Sequence, residues 1–270
     1  MRKRKLRTFV LVFFFLFFLL LMDYPYLSRL YNTWISGDVI AVCQEIEDSS
    51  DCRMRLAKAM DYNRYLAGER AGTFQKWEKE ARVLCLDQSS LAGWIRIPAL
   101  ELILPLFIGT GDQALMEGAG ILEGTSLPVG GPGTHTCISA HRGLPDRTLF
   151  TNLDMLRDGD RIEVHTLGKT LCYEMTGNET VLPSETGPLK IKKGKDLLTL
   201  ITCTPYGINT HRLYVHAKRV PEDTQQSDPG IFSASFPERL LSLVFWKMWW
   251  WVPATILLLF FLFLLVRRAS

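Results

Sequence analysis

Between residues 91 and 219 the sequence is cut into short apolar runs, rich in β-branched residues and separated by glycine, proline and asparagine. Such runs read as strands, and strands spaced this closely close on themselves as an antiparallel barrel or a sandwich. The strand-like runs are 92–100, 102–109, 134–140, 161–167, 170–176, 180–183, 197–202 and 212–219. Residues 111–120 read as a short helix ended by glycine, and 150–156 as a brief helix between two strands. Upstream the texture differs. Residues 27–81 read as helical, because 42–65 spaces its apolar residues at helical intervals without a proline. Glu45, Glu47, Arg53, Arg55, Lys58 and Arg64 read as the solvated face of that helix, and Phe74 and Trp77 as packing residues.

The two ends carry the longest apolar runs. Met1-Arg2-Lys3-Arg4-Lys5-Leu6-Arg7 precedes an unbroken apolar run over 9–22, a charged region followed by a hydrophobic one, as in an export signal. The exit Asp23-Tyr24-Pro25-Tyr26 offers no small-residue cleavage site, which favours a signal anchor over a cleaved peptide. Residues 248–266 carry no charge, begin with Trp249, Trp250 and Trp251 and end at Arg267 and Arg268. Tryptophans at one interface and arginines at the other fit a membrane span. Basic residues outside both runs place both termini in the cytoplasm and the chain between them outside the cell. The expected organisation is a signal anchor over 1–22, a helical region over 23–90, a mainly β catalytic domain over 91–220, a polar linker over 221–240 and a second transmembrane helix over 241–270. A net charge of +3 gives no reason to expect a nucleic-acid partner.

The stretch Thr199-Leu200-Ile201-Thr202-Cys203-Thr204-Pro205-Tyr206-Gly207 carries the chemistry. It puts Cys203 at the end of one strand, and Arg212 opens the next. A thiol beside a fixed cation can act as a nucleophile, the cation favouring thiolate or holding a substrate oxygen. A buried structural cysteine fits this stretch equally well. A cysteine nucleophile needs a group to protonate its leaving amine. His141, at the end of the run Thr136-Cys137-Ile138-Ser139-Ala140 and before Gly143-Leu144-Pro145, is the best placed. His135, His165, His211 and His216 read as surface or satisfied residues. The six cysteines form no CxxC pair and no zinc spacing, so neither a metal nor any other cofactor is expected. An even count in an exported chain allows disulfides, Cys43 and Cys52 lying close enough in sequence to bridge, but a nucleophilic Cys203 must stay free.

Thr199-Leu200-Ile201-Thr202-Cys203 resembles the TLxTC motif of the sortases. Asn209-Thr210-His211-Arg212-Leu213 is similar to the arginine strand that follows it. His141-Arg142-Gly143-Leu144-Pro145, with Leu149, Phe150, Leu153 and Asp154 downstream, resembles their histidine segment. The likeness extends over about 91–220 and is strongest to class C, the pilin-polymerising sortases, which the second apolar run also fits. The resemblance implies an eight-stranded β-barrel and a cysteine transpeptidase acting on surface proteins with an LPXTG-like sorting signal. It implies Cys203 as nucleophile, His141 as general acid and base, and Arg212 as oxyanion or substrate clamp. The acceptor amine would be a lysine of the next pilin subunit or, in a housekeeping enzyme, a cell-wall peptide. A non-catalytic, membrane-tethered binding module is the remaining reading. Class C enzymes commonly carry a lid with an Asp-Pro-aromatic tripeptide, and no Asp-Pro stands between Asp23 and Leu91. Ala140 stands before His141 where a glycine is common.

Overall fold

The computed structural model describes residues 12–15, 50–69, 76–86, 90–144 and 147–221. Within them, eight strands close a barrel: β1 (Leu91–Ile97), β2 (Leu102–Ile108), β3 (Ala119–Ile121), β4 (Thr134–Ser139), β5 (Arg161–Thr166), β6 (Lys169–Val181), β7 (Asp196–Thr204) and β8 (His211–Arg219), in the order β1-β2-β3-β4-β7-β8-β6-β5. The helices are α1 (Ser50–Leu66), α2 (Trp77–Ala81) and α3 (Asp112–Glu117). Alternation explains the wall. Ile95, Ile97, Leu106, Ile138, Ile162, Val164, Leu198, Leu200 and Val215 are almost wholly buried at every second position and fill the interior. Phe150 and Leu153, fully buried between β4 and β5, join that core.

The barrel is mixed, which corrects the antiparallel expectation. β2 pairs with β3, and β4 with β7, in parallel. Parallel neighbours need a crossover, and the chain supplies one at each place. The segment carrying α3 lies between β2 and β3, and all of β5 and β6 is threaded between β4 and β7. Two local readings also change. Runs 170–176 and 180–183 are one 13-residue strand, β6, because Gly177 at φ +150° absorbs a register shift as a bulge instead of ending the strand. The helix expected over 111–120 stops at Glu117, and Ala119–Ile121 is the short strand β3.

The helical region upstream joins the same core through Ala59, Tyr62 and Trp77. Asn63 fastens it as a strand would: its Nδ2 donates to the Leu127 carbonyl at 2.9 Å, and its Oδ1 accepts the Leu127 N–H at 2.8 Å. Trp77 Nε1 donates to the Thr125 carbonyl at 3.0 Å, in keeping with a packing role. Arg55 departs from the solvated face, since its Nη1 donates to the Cys85 carbonyl at 2.6 Å. The chain divides into units 1–222 and 223–270, and the second lies outside the described residues. Both expected membrane spans also fall outside them, apart from 12–15; among the described residues no helix is long and apolar enough to cross a membrane. Cys43, Phe74, the linker from 222 and the segment 27–49 lie outside them too.

Gly93 marks a tight point in the wall. Its φ is +149°, at a register shift between β1 and β2, and a Cβ there would lie 1.9 Å from the His165 carbonyl oxygen of β5. Gly93→Ala should therefore force β1 and β5 apart and lower stability by about 2–4 kcal/mol. Denaturant unfolding of the purified variant, read as a fall in midpoint at unchanged m-value, checks this.

Candidate active site

β7 is the middle of three adjacent strands, and its two neighbours bring the candidate residues to it. Across the antiparallel β7–β8 ladder, Cys203 is paired directly with Arg212. Residues opposed in this way hold their Cβ atoms about 4.5–5.5 Å apart, on one face of the sheet. On the other side, the parallel β4–β7 register ends with Ser139 beside Ile201. It is carried on by Ala140 N–H donating to the Ile201 carbonyl at 3.2 Å and Thr202 Oγ1 donating to the Ala140 carbonyl at 2.9 Å. One step further, His141 stands level with Cys203. The structure thus brings His141, Cys203 and Arg212 into one row across three strands. All three are half-buried.

The row faces away from the main core. Leu198, Leu200, Leu213 and Val215 point inward, whereas Cys137, Ile201 and Tyr214, in the alternate phase, form a separate apolar cluster with Val181. Leu122 and Leu189 pack against it from the connections before β4 and before β7. Cys203, Arg212 and His141 share that alternate phase. They stand at one end of an apolar floor, with Ile201 and Tyr214 one step away. Tyr214 OH donates to the Glu185 carbonyl at 3.3 Å, which ties the floor to the β6–β7 connection. Burial pushes the Tyr214 hydroxyl above its ordinary pKa, with a neighbouring Cys137 adding to the effect and Arg212 opposing it. The phenol stays neutral and donates.

Two loops frame the row, and Arg142 ties them. Its Nη2 binds the Asp154 carboxylate at 2.5 Å, its Nη1 donates to Thr204 Oγ1 at 3.3 Å, and its guanidinium lies over the Tyr206 ring at 6.0 Å. Gly143, at φ +79°, leaves room for that ring: a Cβ there would come within 3.1 Å of it. Arg212 Nη1 donates to the carbonyls of Asn209 and His211, at 3.3 and 3.1 Å, which holds the guanidinium at the loop end of β8. The His141 ring makes no hydrogen bond or ion pair with another described residue. Arg142 was open to sequence reasoning only as part of a motif, since its partners lie 12 and 62 residues away. His135, His211 and His216 are hydrogen-bonded, as expected, whereas the buried Nε2 of His165 has no hydrogen bond among the described residues and lies 3.6 Å from Glu163 Oε2. His165 stacks on Trp94 with ring centroids 3.3 Å apart and bonds Thr170 Oγ1, while His211 bonds Thr210 Oγ1. Among the described residues no cluster of His, Cys, Asp and Glu could hold a metal ion.

A family model described as a sortase domain matches residues 95–220. Sortase A of Streptococcus agalactiae serotype III (strain NEM316) is 33% identical over 129 residues, which is 47% of this chain and 51% of that protein. The match thus spans about half the length of that curated relative. Two solved structures resemble the chain more completely. Sortase C1 of GBS pilus island 1 is 37% identical with a TM-score of 0.62, covering 68% of this chain and 92% of that one. Sortase C of Streptococcus pneumoniae is 39% identical with a TM-score of 0.61, covering 68% and 97%.

Two thiols near the floor differ in environment. Cys203 is half-buried at the strand end, and Cys137 is fully buried, its thiol pushed up to about 12 by burial. Both are free. Thiolate is the reactive form, so at pH 8 an alkylating reagent should modify Cys203 and spare Cys137 until the barrel unfolds. Peptide mapping by mass spectrometry before and after denaturation reads this directly; early modification of Cys137 would contradict it.

Proposed function

We infer the function from one premise: the chain belongs to the sortase family. It acts as a membrane-anchored cysteine transpeptidase on proteins that carry an LPXTG-like sorting signal. The observation that carries this reading is the row of Cys203 on β7, Arg212 opposite it on β8, and His141 two residues past the end of β4, level with Cys203. A sorting signal lies along the apolar floor with its scissile Thr–Gly carbonyl at Cys203, and Ile201, Val181 and Leu122 offer contact to its leucine and proline.

The steps follow from the chemistry of the row. The Cys203 thiol passes its proton to His141 as the sulfur attacks the threonine carbonyl carbon, forming a tetrahedral intermediate whose oxyanion faces Arg212. A guanidinium held in place by its own loop stabilises that charge without rearranging. As the C–N bond breaks, His141 gives its proton to the departing glycine amine, and a thioester to Cys203 remains. An incoming amine then attacks the thioester, His141 takes up its proton, and the thiol is regenerated as the new amide forms. The amine is a lysine side chain of the next pilin subunit, a reading supported by the likeness to two solved sortase C structures, one of them from a pilus island. A signal anchor at 1–22 and a span at 241–270 hold the barrel outside the cell, where substrates emerge. That the curated relative is a Sortase A favours a second reading, in which the acceptor is a cell-wall peptide and each protein is attached singly.

In a reaction with a purified pilin subunit, the wild-type chain should build a ladder of covalent multimers on a denaturing gel. Cys203→Ala should abolish it, and His141→Ala should reduce it to background. Arg212→Ala should lower kcat about 10²–10³-fold, the scale of a lost oxyanion donor. A ladder of normal yield from Cys203→Ala removes the proposal. Products carrying one wall peptide each, without multimers, select the second reading.

A further inference from the structure

On the same sheet face as the row, one side-chain chain crosses four strands. His135 Nδ1 lies 3.1 Å from the Lys190 carbonyl, and His135 Nε2 lies 2.8 Å from Thr199 Oγ1. Thr199 Oγ1 lies 2.9 Å from His216 Nδ1, and His216 Nε2 lies 2.9 Å from Glu179 Oε1. These residues belong to β4, β7, β8 and β6. Thr199 stands four positions before Cys203, His216 four positions after Arg212 and His135 six positions before His141. All are in the phase of the row.

Counting donors fixes the protons. The Lys190 carbonyl only accepts, so His135 Nδ1 carries a hydrogen. The Glu179 carboxylate only accepts, so His216 Nε2 carries one. Between these ends lie two contacts, each to the same threonine oxygen, and the hydroxyl has one hydrogen to give. If it points to His135 Nε2, His216 Nδ1 must donate back to the oxygen. If it points to His216, then His135 Nε2 must donate. Either way, a ladder with every contact made holds one doubly protonated imidazole. Its place is decided by the surroundings. His135 is 2% exposed and its charged form is disfavoured by burial, with His216 and Lys192 opposing it further against the help of the Lys190 carbonyl. His216 faces Glu179. The other groups around His216 are the Tyr214 ring edge at 6.2 Å, and Thr176 Oγ1, which donates to its carbonyl. Lys218, two positions along β8, is paired with Glu174.

We propose that His135, Thr199, His216 and Glu179 form a one-proton ladder, with the extra proton on His216, that clamps β4, β7, β8 and β6 in register and so positions His141, Cys203 and Arg212. The proton count stands on its own, and the positioning role rests on the transpeptidase reading of the row. The four are positioning residues, since the row lies a turn of strand away from them. Without that proton one of the two threonine contacts has no hydrogen to make it.

Nitrogen-15 imidazole spectra of the detergent-solubilised full chain test the proton count. His216 should show both nitrogens protonated and His135 only Nδ1. A singly protonated His216, or a doubly protonated His135, overturns the ladder. Glu179→Gln, at the exposed end, should fold normally and leave His216 with a single N–H, because it removes the carboxylate that holds the second; an unchanged proton count also overturns it. For positioning, Thr199→Val should lower kcat with an LPXTG peptide at least about fivefold, the scale of a lost buried hydrogen bond, with KM little changed. Thr199→Ser should restore it. Equal kcat in wild type, Thr199→Val and Thr199→Ser removes the positioning role. The spectra need no turnover, so a Cys203→Ala chain that still transfers would sink the transpeptidase reading while leaving the proton count to be judged separately.

Discussion

The structure depends on the pairing of β7 with two neighbours of opposite sense. A thiol and an imidazole 62 residues apart in sequence meet because β4 and β7 run in parallel and the chain leaving β4 stays level with the last residues of β7. The guanidinium nine residues beyond the thiol meets it because β8 folds straight back. Hydrogen bonding of the backbone sets both distances, so neither depends on a flexible side chain finding its partner. A slip of one residue in either ladder would turn Cys203 toward the core or His141 off its level, since side chains alternate along a strand.

That register is held at the far end of the strands by a carboxylate. Asp196, the first residue of β7, accepts from the Gly131 N–H at 2.9 Å, from Thr134 Oγ1 at 3.1 Å and from Tyr173 OH at 3.0 Å. Thr134 opens β4 and Tyr173 lies within β6, so one side chain ties the starts of β4 and β7 to the body of β6. Tyr173 is almost completely buried, and burial, with the Asp196 charge beside it, drives its hydroxyl far above the ordinary phenol range. It therefore serves as a permanent donor. With Asp196 at one end and Thr202 bonded to Ala140 at the other, β4 and β7 are fixed along their whole shared length.

Much of this was legible in the sequence because strand ends announce themselves. Cys203 precedes a Pro-Tyr-Gly turn and His141 precedes Gly143-Leu144-Pro145, so both were placed at rims before any pairing was known. Strand order was not legible. Nothing local in 134–140 or 197–202 says that they lie side by side in parallel, and the closely spaced runs suggested an antiparallel barrel. β3 escaped because Ala119-Gly120-Ile121 is too short to show a period. β6 was split because Gly177-Asn178 has the composition of a turn, while a bulge uses the same freedom of φ. Cys137 looks no different from Cys203 in composition; only burial separates an inert thiol from an accessible one.

The two faces of one sheet divide the labour. Positions Leu198, Leu200, Leu213 and Val215 are committed to holding the barrel closed, and their burial leaves no freedom for chemistry. The alternate positions carry no such duty, and there the chain places the cysteine, the arginine, an apolar floor and, beyond it, the polar residues His135, Thr199 and His216. Thr199 is fully buried, where an apolar side chain is the common choice. Its hydroxyl is instead engaged on both sides by histidines, which is costly to bury unless every contact is made. The sequence has given up apolar packing at that point for a fixed orientation of three strands, and it has done so behind the row where orientation matters most.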